Sequence, residues 1–251
     1  MDKYHRFSEL LLKSRHAIAL TGAGISVESG IPDFRGKNGI WSKRDPFEYG
    51  HIDSFRANPA KVWKMLMEMG ALVESVNPNE AHLGLGELEK LGIIKMVVTQ
   101  NVDSLHQRGG SVNVVEFHGN FRRMHCDNCQ KAYLRADISL VRLPPLCSCG
   151  GPIRPDIVLF GEGIPPEAYS RAFEAAKKCD LMLVVGTSAS VAPASQLPGI
   201  AKRNGAHVLE INPVASELTE RITELHIMEP AAVAFRDIMK IVRSMHVKDT
   251  N

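Results

Sequence analysis

The chain has 251 residues, 44% of them hydrophobic and 23% charged, enough for one large α/β domain or two modest ones, and that balance excludes a disordered chain. Lys and Arg number 30 against 28 Asp and Glu, a formal charge of +2 with no long run of one sign, which argues against a nucleic-acid partner held by bulk electrostatics. No stretch reaches the ~20 uninterrupted apolar residues of a membrane span. The N-terminal MDKYHRFSELLLKSRH is charged within its apolar part and lacks a small-residue cleavage site, so the expected location is cytoplasmic and the five cysteines are expected as ligands or nucleophiles rather than disulfides.

In chain order, the pattern predicts a helix over 4–14, a strand over 16–20, helices over 59–76 and 80–91, and strands over 94–101, 113–119 and 156–161. A helix over 165–178, a strand over 181–188, a helix over 194–204, a strand over 207–213 and a helix over 230–246 follow. Several of the strands are apolar throughout, as in a parallel sheet covered on both faces. The alternation predicts an α/β fold: an open Rossmann-like parallel sheet with helices on both faces and ligands at the carboxyl ends of its strands. Two stretches break the rhythm. Residues 36–79 and 120–155 read as a helical insert with a cofactor loop and a zinc-binding insert, leaving 1–35, 80–119 and 156–251 to the main domain.

The first strand runs into Thr21-Gly22-Ala23-Gly24-Ile25-Ser26, where glycines let backbone approach a pyrophosphate and a following helix N-terminus supplies donors. The dinucleotide fingerprint G-x-G-x-x-G would need glycine at Val27, and no acidic residue stands about 20 positions on. That favours a nucleotide in a less usual pose over hydride transfer. Cys126, Cys129, Cys147 and Cys149 form a C-x2-C and, after 17 residues, a C-x-C, a set that can close around one structural zinc, with His125 as a possible competitor for Cys149. Cys179 reads as buried packing.

Past Met96-Val97-Val98, the polar run Thr99-Gln100-Asn101-Val102-Asp103 sits where side chains of a parallel sheet enter the ligand crevice, and it is costly to bury unless it binds something. His118 ends another strand beside Gly119, the position of a general base, although an ordinary packing histidine has the same signature. Gly186-Thr187-Ser188 and Asn212-Pro213 close two further strands with small polar groups that also suit caps and turns.

The ordered set GAGISVESGIPDFRG (22–36), TQNVDSLHQRGG (99–110), EFHG (116–119), the four cysteines, VLFGE (158–162), GTSASVAPA (186–194) and INP (211–213) resembles the sirtuin family of NAD-dependent protein-lysine deacylases over essentially the whole chain. The absence of long flanking tails resembles compact prokaryotic members. The resemblance implies that Gly22, Ala23, Gly24 and Ser26 line the pyrophosphate and ribose, and that Asp33, Phe34 and Arg35 belong to a cofactor-binding loop. It further implies a nicotinamide pocket from Gln100, Asn101 and Asp103, with Gly186, Thr187, Ser188, Asn212, Pro213 and Ala231 on the adenosine side. His118 is the implied base, acting with Asn101 and Asp103 as the catalytic group. Phe160, Gly161, Glu162 and Val191 are the implied peptide clamp, holding an acylated-lysine protein or peptide largely by its main chain. Implied products are nicotinamide, free lysine and 2′-O-acyl-ADP-ribose, with NAD as co-substrate and one structural zinc ion.

Two positions depart from the family pattern. Gly109 replaces a common alanine, which bears on helix stability more than chemistry. Family members that favour succinyl or malonyl lysine carry Tyr and Arg just after the tryptophan of helix 59–76, where this chain has Leu66 and Met69. Without that guanidinium an acidic acyl tail loses its charge-assisted partner, so apolar acyl groups of acetyl length or longer are expected. The rival readings are a protein mono-ADP-ribosyltransferase using the same NAD site, a non-catalytic NAD or ADP-ribose sensor, and a zinc-ribbon nucleic-acid binder. The last has only a thin basic surface in Arg122, Arg123, Lys131 and Arg135.

Overall fold

The computed structural model describes residues 2–33, 39, 42 and 44–249, with side chains to 246. Helix α1 (Lys3–Lys13), strand β1 (Ala17–Thr21) and a 3-10 helix (Ala23–Ser29) are followed by α2 (Pro46–Gly50), α3 (Ile52–Ala57) and α4 (Pro59–Ser75). Next come α5 (Glu80–Lys90), β2 (Ile94–Thr99), the single turn α6 (Leu105–Arg108) and β3 (Val114–Glu116). Strands β4 (Gly119–Cys126), β5 (Ala132–Leu134) and β6 (Ile153–Ile157) precede α7 (Pro166–Lys178), β7 (Leu181–Val185), α8 (Gln196–Arg203), β8 (His207–Ile211), β9 (Leu225–Ile227) and α9 (Ala231–Asp249). No helix among the described residues is long and apolar enough to cross a membrane.

Six strands form one parallel sheet in the order β3-β2-β1-β7-β8-β9. The central strands β1 and β7 are buried at every residue, because alternate side chains feed opposite helical layers. Ala17, Ala19, Leu181, Leu183 and Val185 pack into a core with Leu85, Phe235 and Ile238 of α5 and α9. Ile18, Leu20, Met182 and Val184 pack into a second core with Phe173 and Leu197 of α7 and α8. The chain order reverses between β1 and β7, which opens a crevice at their carboxyl ends.

The predicted strand over 156–161 is corrected. β6 starts earlier and pairs antiparallel with β4 in a separate three-stranded sheet, β5-β4-β6, while Val158–Gly161 leaves the sheet and Phe160 only bridges His51. An apolar run reads alike in either setting, since its partners lie far away in sequence. The edge strand β9 is three residues long and left no periodic signal. The two breaks in the rhythm share one apolar core: Ile52, Phe55, Val62, Trp63, Met65 and Leu66 pack with Met124, Cys126, Ile153 and Leu159. Trp63 is 2% exposed and its Nε1 donates to the Ile153 carbonyl at 2.9 Å, fastening α4 to β6. Its burial satisfies both the apolar body and the polar tip of the indole.

Candidate functional site

The turn after β1 is held by backbone against backbone. Gly24 N donates to Gly186 O at 2.8 Å and Gly22 N to Val185 O at 3.1 Å. A Cβ on Gly24 would stand 2.7 Å from Gly186 O, and one on Gly22 would stand 2.7 Å from Thr187 Cβ, so glycine is required for this approach. Gly186 itself has φ +60, open to glycine at little cost. The segment after the turn is a 3-10 helix rather than the start of an α-helix, closed by Gly30 at φ +102. It is tied down by Asn79, whose Nδ2 donates to Ile25 O (2.8 Å) and Ser29 Oγ (3.0 Å). Asn79 also caps α5 through Ala81 N, while His82 Nδ1 accepts from Asn79 N, so one capping box anchors both elements. This Asn-x-x-His signature was the sequence signal that could have marked His82.

Behind the turn lies a buried polar network. Asn101 Nδ2 donates to Gly22 O and Ser26 Oγ, both at 3.1 Å, and Ser26 Oγ donates to Asp103 Oδ2 at 2.7 Å. Asp103 also accepts from Leu105 N at 2.9 Å. Burial raises the Asp103 carboxyl above the usual range, with the Leu105 amide and the Ser26 hydroxyl pulling the other way. His82 Nε2 reaches Ser26 Oγ at 3.4 Å, and burial pushes this imidazole down to about 4. The oxygen Asn101 Oδ1 is buried with no hydrogen-bond partner. Such an orphaned acceptor at a crevice is fitted to a donor such as a carboxamide N–H.

His118 sits on the two-residue joint between β3 and β4. Its Nδ1 donates to Gln100 O at 3.0 Å, which leaves Nε2 as the free lone pair. Burial lowers its pKa, and the bond to Gln100 O partly opposes this, so the ring is neutral at pH 7. The Gln100 amide turns away from Asn101, donating to Thr187 Oγ1 at 3.0 Å.

A cleft of about 540 Å³ gathers these parts. Gly22, Ala23, Gly24, Asp33, Gln100, Asn101 and His118 line it together with Gly186, Thr187, Ser188 and Asn212. Its other wall is Met65, Leu66, Met69, Ile157, Leu159 and Ile164, and Phe160, Gly161, Glu162 and Val191 also line it. Met65, Ile157, Leu159 and Ile164 were missed by sequence reasoning, because a buried helix face and a loop leave no chemical signature. Four expected residues do not line it. Ser26 and Asp103 lie behind Asn101 as its supports. Pro213 is exposed, and Ala231 is buried at the first turn of α9 in the core shared with α5. Phe34 and Arg35 lie outside the described residues.

The cysteine sulfurs of Cys126, Cys129, Cys147 and Cys149 all lie within 4.8 Å of one another, with Cys126–Cys149 at 3.5 Å and Cys129–Cys147 at 3.6 Å. Tetrahedral Zn–S bonds of about 2.3 Å place sulfurs about 3.8 Å apart, so the donor set fits zinc. The short C-x-C closes because Gly150 N returns to Cys147 O at 2.9 Å, while a Cβ on Gly151 would stand 2.8 Å from Cys126 Sγ. The Cys149 amide and the Tyr133 hydroxyl draw the Cys147 thiol down to about 6, while Cys149, against the pull of the Gly151 amide, is pushed up to about 12 by Cys129, Cys126 and Cys147 beside it, so the four thiols titrate as one set. His125 is no ligand in this arrangement: its Nδ1 faces Asp156 Oδ1 at 3.2 Å, and Cys149 completes the set.

A model of the Sir2 family matches residues 22–193. An NAD-dependent protein deacylase 2 of Pyrobaculum aerophilum is 46% identical over 213 residues, 84% of this chain and 85% of that protein. A mutant Sir2 homologue solved with ADP-ribose superposes with a TM-score of 0.93 at 38% identity, covering 98% of each chain. A Sir2 solved with a p53 peptide and NAD+ gives 0.86 at 36% identity, over 95% of this chain and 98% of the other. A matched family model spanning most of the chain, close relatives and a superposable fold agree, and the chain belongs to the Sir2 family.

Proposed function

We propose that this chain deacylates lysine side chains of protein or peptide substrates, taking acetyl and longer apolar acyl groups and rejecting acidic ones. As a Sir2-family member it is an NAD-dependent protein deacylase. The observation that carries the finer reading is one cleft lined by His118 and Asn101 together with apolar side chains of α4 and of residues 157–164. NAD supplies the glycosidic bond whose cleavage releases nicotinamide and leaves ADP-ribose to receive the acyl group.

The chain's own residues divide the work. Asn101, braced by Ser26 and Asp103, presents a buried unpartnered Oδ1 to the nicotinamide carboxamide. Gly22, Ala23 and Gly24 bring backbone up to the pyrophosphate, and Gly186, Thr187, Ser188 and Asn212 hold the adenosine half. His118, neutral and fixed through Nδ1, holds Nε2 ready to take a proton from a ribose hydroxyl. Gly161, Glu162 and Val191 receive an extended peptide by its main chain. The acyl group lies against Met65, Leu66 and Met69. Among the described lining residues none is Lys or Arg, so a succinyl carboxylate would be desolvated without a partner.

The test is mass spectrometry of products from NAD and one peptide carrying acetyl-, myristoyl- or succinyl-lysine. Nicotinamide, free lysine and 2′-O-acyl-ADP-ribose are expected, with kcat/KM lowest for succinyl; a preference for succinyl would sink the acyl assignment. His118→Ala should lower kcat by about 10²–10⁴-fold with NAD binding retained. Full activity in that variant would remove His118 from the base role.

A further inference from the structure

Arg154 of β6 is 4% exposed, and it joins two places that the deacylase reading treats separately. Its Nε donates to Asp127 Oδ1 at 3.1 Å, and one terminal nitrogen donates to Ile157 O at 3.1 Å. The other is paired with Glu162 Oε1. Its guanidinium also lies over the Phe55 ring, 5.7 Å from the centroid. Asp127 stands inside the C-x2-C knuckle, between Cys126 and Cys129, and its second oxygen takes Arg56 Nε at 3.2 Å. Glu162 closes the chain at the other end. Its Oε2 accepts from Leu159 N at 2.9 Å, so the carboxylate staples the 159–162 turn shut while the residue lines the cleft.

The Asp127 and Arg154 side chains are 7% and 5% exposed, and that of Glu162 is 21% exposed. Desolvating such charges usually cancels their attraction, so stability alone is a weak reason for the arrangement. A planar fork spanning two carboxylates and a carbonyl fixes three segments at once. The glycine turn is held by different bonds, Gly24 to Gly186 and Gly22 to Val185, which the Arg154 chain does not touch.

We propose that Arg154 is a positioning residue for the acyl-peptide, transmitting the geometry of the metal knuckle through Asp127 to the Glu162 turn that receives the substrate. This rests on the deacylase reading and adds to it a division of labour: peptide affinity depends on the Arg154–Glu162 link, and NAD affinity does not.

The experiment uses the full chain with zinc, comparing the wild type with Glu162→Gln, Arg154→Lys and the double variant. Readouts are the KM of acetyl-peptide, the KM of NAD, kcat, the zinc-to-protein ratio, and direct binding of a labelled acetyl-peptide without turnover. Each single variant is expected to raise the peptide KM and peptide Kd by about 5-fold or more, with the NAD KM and zinc content unchanged. The double variant should add little, because both substitutions break one connection. Arg154 does not line the cleft, so its variant separates positioning from direct contact. Unchanged peptide affinity in the Arg154 variant, or equal rises in both KM values, overturns the inference. A wild-type chain that releases no nicotinamide overturns the deacylase reading beneath it.

Discussion

His82, His106 and His118 are held neutral by burial, and this makes the fold acid-sensitive in a defined window. His82 is pushed down to about 4, His106 well below its ordinary 6.5 by burial and then by His82, and His118 is lowered with only the Gln100 carbonyl opposing. In the unfolded chain these imidazoles titrate near 6.5. Below that pH the unfolded state binds more protons than the folded state, so stability falls as pH falls and is unaffected above it. His82 alone accounts for a loss on the order of 3 kcal/mol once the pH is below its folded value. Asp103, whose carboxyl is raised, acts in the opposite sense. Thermal unfolding from pH 8 to pH 4.5 should show Tm level to about 7 and then declining, with a shallower decline in His82→Gln; a Tm independent of pH contradicts it. The position of His118 at a strand end in the cleft and the clustering of the four cysteines were legible from sequence, because strand ends and ligand spacing are local signals. The standing of Ser26 and Asp103 behind Asn101 was not, since it is set by which side chains a 3-10 helix and a strand end bring together.

Elements show the same divide. Strands β1, β2, β7 and β8 were legible because two-sided burial writes itself into an apolar run. The fate of 156–161 was not, since a helix–sheet core and an antiparallel partner demand the same residues. The turn between β1 and the 3-10 helix is tightly constrained. Gly24→Ala would drive a methyl to 2.7 Å from Gly186 O and 2.8 Å from Gly186 Cα, against backbone that has little freedom to shift. Overpacking of this kind costs about 1–3 kcal/mol. The variant should lose stability in denaturant titration and weaken NAD binding by calorimetry, and wild-type values in both would mean that the two turns can part.

At the scale of the whole molecule, the cysteine set and the apolar α4 side of the cleft belong to one body, because α4 and β6 share a core and the Trp63–Ile153 bond. Metal analysis should find one zinc per chain. Chelation should lower Tm and red-shift the tryptophan fluorescence as the surroundings of Trp63, one of two tryptophans, open to water. Unmoved Tm and fluorescence after verified zinc loss would separate the metal from the fold. The sequence marked both insertions in the main rhythm but could not show them leaning on each other, since no residue in either names its partner.

The joint that carries His118 bears on how such a protein can diverge. Phe117 N is bonded to Thr99 O at 2.8 Å at the large sheet, and Val158 N to His118 O at 2.9 Å just past the ends of β4 and β6, while Gly119 at φ +77 leaves no room for a side chain beside Asp156 O. On the proposed reading, new acyl groups would be reached by exchanging cleft-lining residues of α4 such as Met65, Leu66 and Met69, which lie apart from the joint that carries His118. The joint allows no such drift, because a change there re-aims the imidazole and breaks the passage between the sheets together. Lineages with new substrates are therefore expected to record their history in helix α4 and to keep Phe117-His118-Gly119 intact.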